Sequence, residues 1–159
     1  MLPYWKKKKK KEPKTIYGHE VRTKRKPNLV KKLDKVFSLY IRLRDVMPNG
    51  YGICIACGRP KHFTELDFGH YHSRMHMATR YDEDNCHAEC RYCNRMSADH
   101  IIKYERNLVR KIGQHRVDLL MVKANSTKHY LDCELEQMIK YYTAEVKKLS
   151  SLKGIKVNL

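Results

Sequence analysis

Two Cys-x-x-Cys pairs constrain this chain more than any other feature: Cys54 with Cys57, and Cys90 with Cys93, the second pair starting 36 positions after the first. Four thiolates in two such knuckles can close on one tetrahedral zinc ion, the spacing of a structural Cys₄ site. Zinc sites of this kind contribute directly to the stability of small folds. The competing reading, a redox dithiol, calls for a single pair in a β-α-β pattern, which this sequence lacks. Two cysteines are left over. Cys133 is expected to be a small buried residue at a helix start, and Cys86 lies close to the zinc loop.

The loop closed by the staple carries residues that a structural zinc does not need. Asn94 directly follows the last cysteine, and His70 stands within the loop. A helix starting at the second knuckle would hold Asn94 stiffly and offer its carbonyl oxygen to a harder cation. Magnesium prefers such oxygen ligands and keeps several waters. A neutral imidazole at His70 could take a proton from one of those waters, which is general-base chemistry near neutral pH. A cation there, magnesium or manganese, would offset charge growing on a phosphate and its leaving oxygen.

Charge points to the substrate. With 34 Lys and Arg against 17 Asp and Glu, the 159-residue chain carries a net +17. That excess is well beyond what solubility needs and is the usual counterpart of phosphate. Residues 1–26 read as a flexible basic arm, with Lys6, Lys7, Lys8, Lys9, Lys10 and Lys11 in one run and prolines at 3, 13 and 27. Like charges repel and proline breaks helix, so the arm suits sequence-independent, salt-sensitive phosphate binding. No stretch pairs this charge with an amphipathic anchor, and no apolar run approaches the roughly 18–20 residues that span a bilayer. The first five residues run straight into the lysines without a signal-peptide core, which predicts a cytoplasmic protein.

Residues 27–159 then read as one zinc-stapled domain with C-terminal helices. Leu29, Leu33, Val36, Phe37, Tyr40, Leu43 and Met47 recur at helical spacing, with Pro27 in the first turn and Pro48-Asn49-Gly50 as the stop. Residues 51–57 form a strand into the first knuckle, with tight turns at Gly52 and Gly58, and 66–72 a second strand. Residues 73–84 are polar and irregular. A helix begins after Cys90, and three more follow: one through Ile101 to Ile112 ended by Gly113, one from Val117 to Ala124, and one from Leu135 to Leu149, capped by Asp132 and ended near Gly154. The fold class is α+β.

Four segments carry a resemblance: Cys54-Ile55-Ala56-Cys57-Gly58, Asp67-Phe68-Gly69-His70-Tyr71, Arg80-Tyr81-Asp82-Glu83-Asp84-Asn85-Cys86-His87 and Cys90-Arg91-Tyr92-Cys93-Asn94. Together they resemble the NinG/Rap recombination proteins of lambdoid phages, and more broadly the HNH, or His-Me finger, endonucleases with a zinc-ribbon staple. The likeness runs over roughly residues 30–150 and leaves the basic arm outside. It implies a ββα-metal centre embedded in helices, with His70 as general base, Asn94 as metal ligand and Asn85 bracing the loop that carries the base. It also implies cleavage of branched DNA, Holliday junctions and D-loops, during recombination. A homodimer would suit a two-fold junction, and other recombination proteins are implied partners.

One position departs from the HNH pattern: where a metal-binding Asp often precedes the base, this chain has Gly69. Asp67 or His72 is then the second metal ligand. A carboxylate suits magnesium better than an imidazole does. In a regular strand, however, Asp67 faces away from His70, unless a bulge at Gly69 turns it, while His72 shares the face of His70. Arg74 and Arg80 are candidate phosphate contacts. Asp99 and His100 are candidate supports of the ligands, and His87 either orients a ligand or bonds the backbone. Tyr71, Tyr81 and Tyr92 are expected to pack around the zinc unit. The expected activity is metal-dependent hydrolysis of branched DNA. A non-catalytic zinc-ribbon DNA-binding module and a duplex-specific HNH endonuclease are the alternatives.

Overall fold

The computed structural model describes residues 28–159 and, before them, the backbone of β1 (Thr15–Ile16) and β2 (His19–Glu20), an antiparallel pair. The lysine run at 6–11 lies outside the described residues.

Helix α1 (Leu29–Asp45) starts where the Asn28 side chain accepts the Lys31 N–H at 3.0 Å, so the cap is Asn28 and the first turn begins after position 27. Its buried side chains, Leu33, Val36, Phe37, Leu39, Tyr40, Ile41 and Leu43, form a band wider than one stripe. The reason is that α1 is covered twice, by the last helix, α5 (Asp132–Lys153), and by the paired strands Leu66–His70 and Cys86–Cys90. Met47 lies beyond the helix and is half exposed. Phe37 is fully buried against the rings of Tyr40, Phe68, Tyr81 and Tyr142. Truncating it to alanine would cost about 3–5 kcal/mol.

Strand β3 (Tyr51–Ile53) pairs with β4 (Pro60–His62), and this hairpin carries the first cysteine knuckle across its turn. Gly52 sits in the strand rather than at a turn. A Cβ there would come within 2.8 Å of the Asp45 carbonyl, so glycine lets β3 approach the end of α1. A single 3₁₀ turn, Phe63–Glu65, leads into β5 (Leu66–His70). Its partner is β6 (Cys86–Cys90), antiparallel in unbroken register from Leu66 opposite Cys90 to His70 opposite Cys86. There is no bulge at Gly69, contrary to the geometry that would have turned Asp67. The strand also stops at residue 70, two short of its expected end.

Helix α2 (Arg91–Met96) follows β6 without a break. Then come α3 (His100–Ile112), α4 (Gln114–Ala124) and α5. Gly113 separates α3 from α4 and Gly154 ends α5. The residue before α5 is Leu131, whose N–H is accepted by Glu134 at 2.7 Å, so Asp132 is the first helical residue and not the cap. One apolar cluster lies between α1, α5 and the β5–β6 hairpin, and a second gathers Ile55, Tyr104, Leu108, Val117 and Leu120. The architecture is α+β: helices around small antiparallel sheets. No described helix is long and apolar enough to cross a membrane.

Candidate functional site

The sulfurs of Cys54, Cys57, Cys90 and Cys93 lie within 4.8 Å of one another. Zn–S bonds of about 2.3 Å in a tetrahedron put sulfurs about 3.8 Å apart, and Cys57 Sγ stands 4.0 Å from Cys90 Sγ. The Cys90 N–H donates to Cys54 Sγ at 3.3 Å. Burial pushes the Cys54 thiol up to about 11, against that backbone donor and those of Ala56 and Cys57. A zinc ion would resolve the conflict, since a coordinated thiol is held as thiolate. The cluster could hold a zinc ion. Its position joins the first hairpin to the start of α2, and so fixes where Asn94 stands.

Asp67, His70, Asn94, His100, Arg74 and Arg95 line one cleft of about 810 Å³. Asp67 and His70 lie on opposite faces of the unbroken strand, yet both line the cleft, with Asn94 and Arg95 of α2. Asn94 Nδ2 donates to Asp67 Oδ2 at 3.4 Å, and the exposed Arg95 reaches the same oxygen at 2.7 Å. His70 Nε2 lies 3.2 Å from the Arg80 carbonyl. A carbonyl only accepts, so Nε2 carries the proton and Nδ1 keeps its lone pair. Burial, aided by the charges of Arg80 and Arg74, pushes His70 down to about 4, so the ring is neutral at ordinary pH.

Asn85 is fully buried and clamps the loop that follows the histidine. Its Oδ1 accepts the His72 N–H at 2.7 Å, and its Nδ2 donates to the carbonyls of His72 and Thr79, both at 3.0 Å. His72 does not line the cleft. Its ring packs on Tyr71 and faces His76, and its Nε2 is buried without a partner. Arg80 is not free to meet a ligand either: its guanidinium grips both Asp34 oxygens, at 2.9 and 2.6 Å, and bonds the Arg74 carbonyl. Arg74 remains the loop arginine that lines the cleft.

Two carboxylates escaped the sequence reading. Asp45, at the end of α1, meets Arg44, Lys111, His87 and the Ala88 N–H. Burial would raise it, but contact with His87 and Arg44 and the charge of Lys111 hold it far below the usual carboxylate range. Glu89 is buried on β6, with Oε1 3.0 Å from His100 Nδ1 and Oε2 without a partner. His87 belongs to the Asp45 group: Arg44 Nη2 and Lys111 Nζ, which can only donate, approach its Nδ1 at 2.8 and 3.0 Å. Asp99 bonds Ser97 and Lys103 at the surface. Cys86 is buried while Cys133 is exposed, the reverse of the small buried residue expected there. The tyrosines do not gather at the cysteines as expected: Tyr71 packs near Tyr104, Tyr81 lies in the main core, and Tyr92 is 66% exposed.

A family model described as Bacteriophage Lambda NinG protein matches residues 4–151. The match reaches further towards the N-terminus than the expected likeness over 30–150 and takes in the lysine run. Among curated proteins, the Protein ninG of Escherichia phage 933W is 30% identical over 102 residues, covering 63% of this chain and 47% of the relative. That of Escherichia phage lambda is 29% identical over 102 residues, 63% of this chain and 46% of the relative. That of Salmonella phage P22 is 31% identical over 91 residues, 56% and 42%. The chain thus spans about half the length of the curated relatives it matches. No solved structure matches it.

Proposed function

The chain belongs to the bacteriophage NinG family, and from that premise we propose that it is a metal-dependent endonuclease that hydrolyses DNA phosphodiesters in branched recombination intermediates. The observation that carries this reading is the meeting of His70, Asp67 and Asn94 at one cleft beside the four-cysteine cluster. On this reading β5, β6 and α2 form a ββα-metal centre of the His-Me finger type, with the zinc staple holding the helix to the hairpin.

His70 is the general base. Its protonated Nε2, held by the Arg80 carbonyl, leaves Nδ1 to accept a proton from the attacking water. Asn85 positions it by fixing residues 72 and 79 of the following loop. Asp67 and Asn94 hold magnesium or manganese, Asp67 being preferred over His72 because it lines the cleft and offers a carboxylate. When bound, the cation supplies charge for the scissile phosphate and its leaving oxygen. Arg74 and Arg95 stand ready for the flanking phosphates. The lysines of the N-terminal arm, with the net charge of +17, give affinity that falls with salt. A homodimer on a two-fold junction, with other recombination proteins nearby, completes the reading.

The test is cleavage of a labelled four-way junction beside matched duplex and single strand, with magnesium or manganese, by wild type and His70→Ala. Junction-selective cutting by wild type, with binding but no cutting by His70→Ala, is the expected result. Tight binding with no cutting by either protein would replace this reading with a non-catalytic binding module. Equal cutting of all three DNAs would keep the nuclease and remove the junction preference. Cutting at one duplex sequence would identify a duplex-specific enzyme.

A further inference from the structure

We propose that Glu89, which lies behind the cleft lining and meets it through Asp67 opposite and the bond to His100, is a ligand of the divalent cation held there, supplying from β6 the carboxylate that the glycine before His70 cannot supply from β5; this rests on the metal-dependent reading above. Gly69 is not an empty place in the fold. A Cβ built there would collide with Glu89 Oε2 and come within 2.9 Å of Glu89 Cβ and 3.2 Å of its Cδ. The glutamate therefore occupies the room that an aspartate at 69 would need. A carboxylate is still present at the place a side chain at 69 would fill, but it arrives from the opposite strand.

Its bonding leaves one oxygen for a ligand. Glu89 is 0% exposed, its Oε1 is oriented by His100 Nδ1 at 3.0 Å, and its Oε2 has no partner. An unpaired buried carboxylate oxygen costs the full desolvation of that atom. The bond to His100 explains Oε1 only. The neighbours supply the rest of a cation site. Asp67 stands directly opposite Glu89 in the ladder, so the two carboxylates share a face. Like charges directly opposite one another are destabilising, and a cation between them reverses the sign. Asn94 approaches Asp67 from α2.

Three oxygen donors from β5, β6 and α2 make a set that suits magnesium or manganese. His100, a lining residue of the cleft, then acts as a positioning residue that fixes the Glu89 rotamer, as a ligand's second partner commonly does. The Arg95 contact with Asp67 is a surface ion pair worth little, and a cation would displace it readily.

The experiment measures Mn²⁺ binding by loss of the free-ion electron paramagnetic resonance signal, using zinc-loaded full-length protein. Wild type, Glu89→Gln and Glu89→Asp are compared, with zinc content and circular dichroism as folding controls and junction cleavage as a second readout. Expected is tight binding by wild type and at least about tenfold weaker binding by Glu89→Gln. Glu89→Asp, which keeps the charge but withdraws the oxygen, should also weaken binding, and serves alone if the glutamine variant does not fold. Wild-type affinity in both variants overturns the role of Glu89 while leaving the nuclease reading intact. A wild type that neither binds Mn²⁺ nor cuts any DNA overturns both.

Discussion

Two carboxylates meet strand β6, Asp45 with its side chain 9% exposed and Glu89 fully buried, and they are treated in opposite ways. Asp45 comes from the end of α1, and both of its oxygens are engaged: Arg44 and Lys111 on Oδ1, Arg44 and the Ala88 N–H on Oδ2. Glu89 lies on the strand itself with one oxygen engaged and one bare. The electrostatic consequences diverge accordingly. Asp45 is held well below the usual carboxylate range, whereas burial, with Asp67 nearby, raises Glu89. The first is a joint that ties a helix end to a strand edge. The second is a carboxylate kept in the fold without full compensation, the feature for which the proposed cation role gives a reason.

The largest expected effect comes from breaking the joint. Asp45→Ala leaves the Ala88 N–H without its acceptor and takes the carboxylate from Arg44, which keeps the Glu83 and Cys86 carbonyls, a loss of about 3 kcal/mol at the low end for a broken buried charge pair. Urea denaturation of the zinc-loaded protein measures it. A loss under about 1 kcal/mol would mean that Asp45 is no more structural than Glu89, and the contrast would collapse.

Next in size are two pH effects that separate the joint from the cleft. Asp45 has a depressed folded pKa, so its contribution is complete above the ordinary carboxyl range and is lost as pH falls below about 4. The stability gap between wild type and Asp45→Asn should therefore narrow below that pH. His70 is an imidazole with a folded pKa pushed down to about 4. The unfolded chain takes up its proton near pH 6.5, so stability falls as pH drops from about 6.5 to about 4. His70→Gln should flatten the curve in that upper window alone. Equilibrium unfolding across pH 3–8 resolves the windows, and one shared window for both variants would sink this assignment.

A neutral case calibrates the charged ones. Tyr104 is fully buried, and its hydroxyl lies 3.3 Å from the Gly69 carbonyl and 3.2 Å from that of Asn85. It thus braces the backbone on both sides of His70 from α3. Tyr104→Phe leaves two buried carbonyls short of one donor, a loss of about 1–2 kcal/mol by thermal melting. An unchanged melting temperature would show that the hydroxyl holds neither strand end.

What the sequence made legible follows the same division. The cysteine spacing, the apolar period of α1 and the glycine stops of α3 and α5 are local signals, and each predicted its element. His70 and Asn94 stood out because their chemistry is unusual beside paired Cys-x-x-Cys knuckles, and both line one cleft. Strand β6 was not legible. Its residues, Cys-His-Ala-Glu-Cys, include no β-branched or aromatic side chain, and all five are buried, so the alternation that marks a half-buried strand is missing. Without β6, Glu89 looked like any solvated charge between two cysteines. Asp45 was hidden similarly, since a helix-terminal aspartate reads as surface until Ala88 is seen to donate to it. Arg80 shows the converse: an arginine in the right loop, engaged by an aspartate 46 residues away.

The smallest expected change in stability is also the one that decides the comparison. Glu89→Gln removes a buried charge while keeping a group that can still accept at Oε1 from His100. Its weakened bond to His100 and its relieved desolvation oppose each other, so the cation-free protein should shift by less than about 1 kcal/mol. A cation changes that balance for wild type alone. A ligand that binds only the folded state adds about 2.7 kcal/mol at a hundred times its Kd, so Mn²⁺ should raise the wild-type melting temperature and leave Glu89→Gln nearly unmoved. Asp45→Asn, with an intact cleft, should start from a lower temperature and still respond to Mn²⁺ as wild type does. Equal responses from Glu89→Gln and wild type would place Glu89 beside Asp45 as a second joint, leaving its bare oxygen without a role.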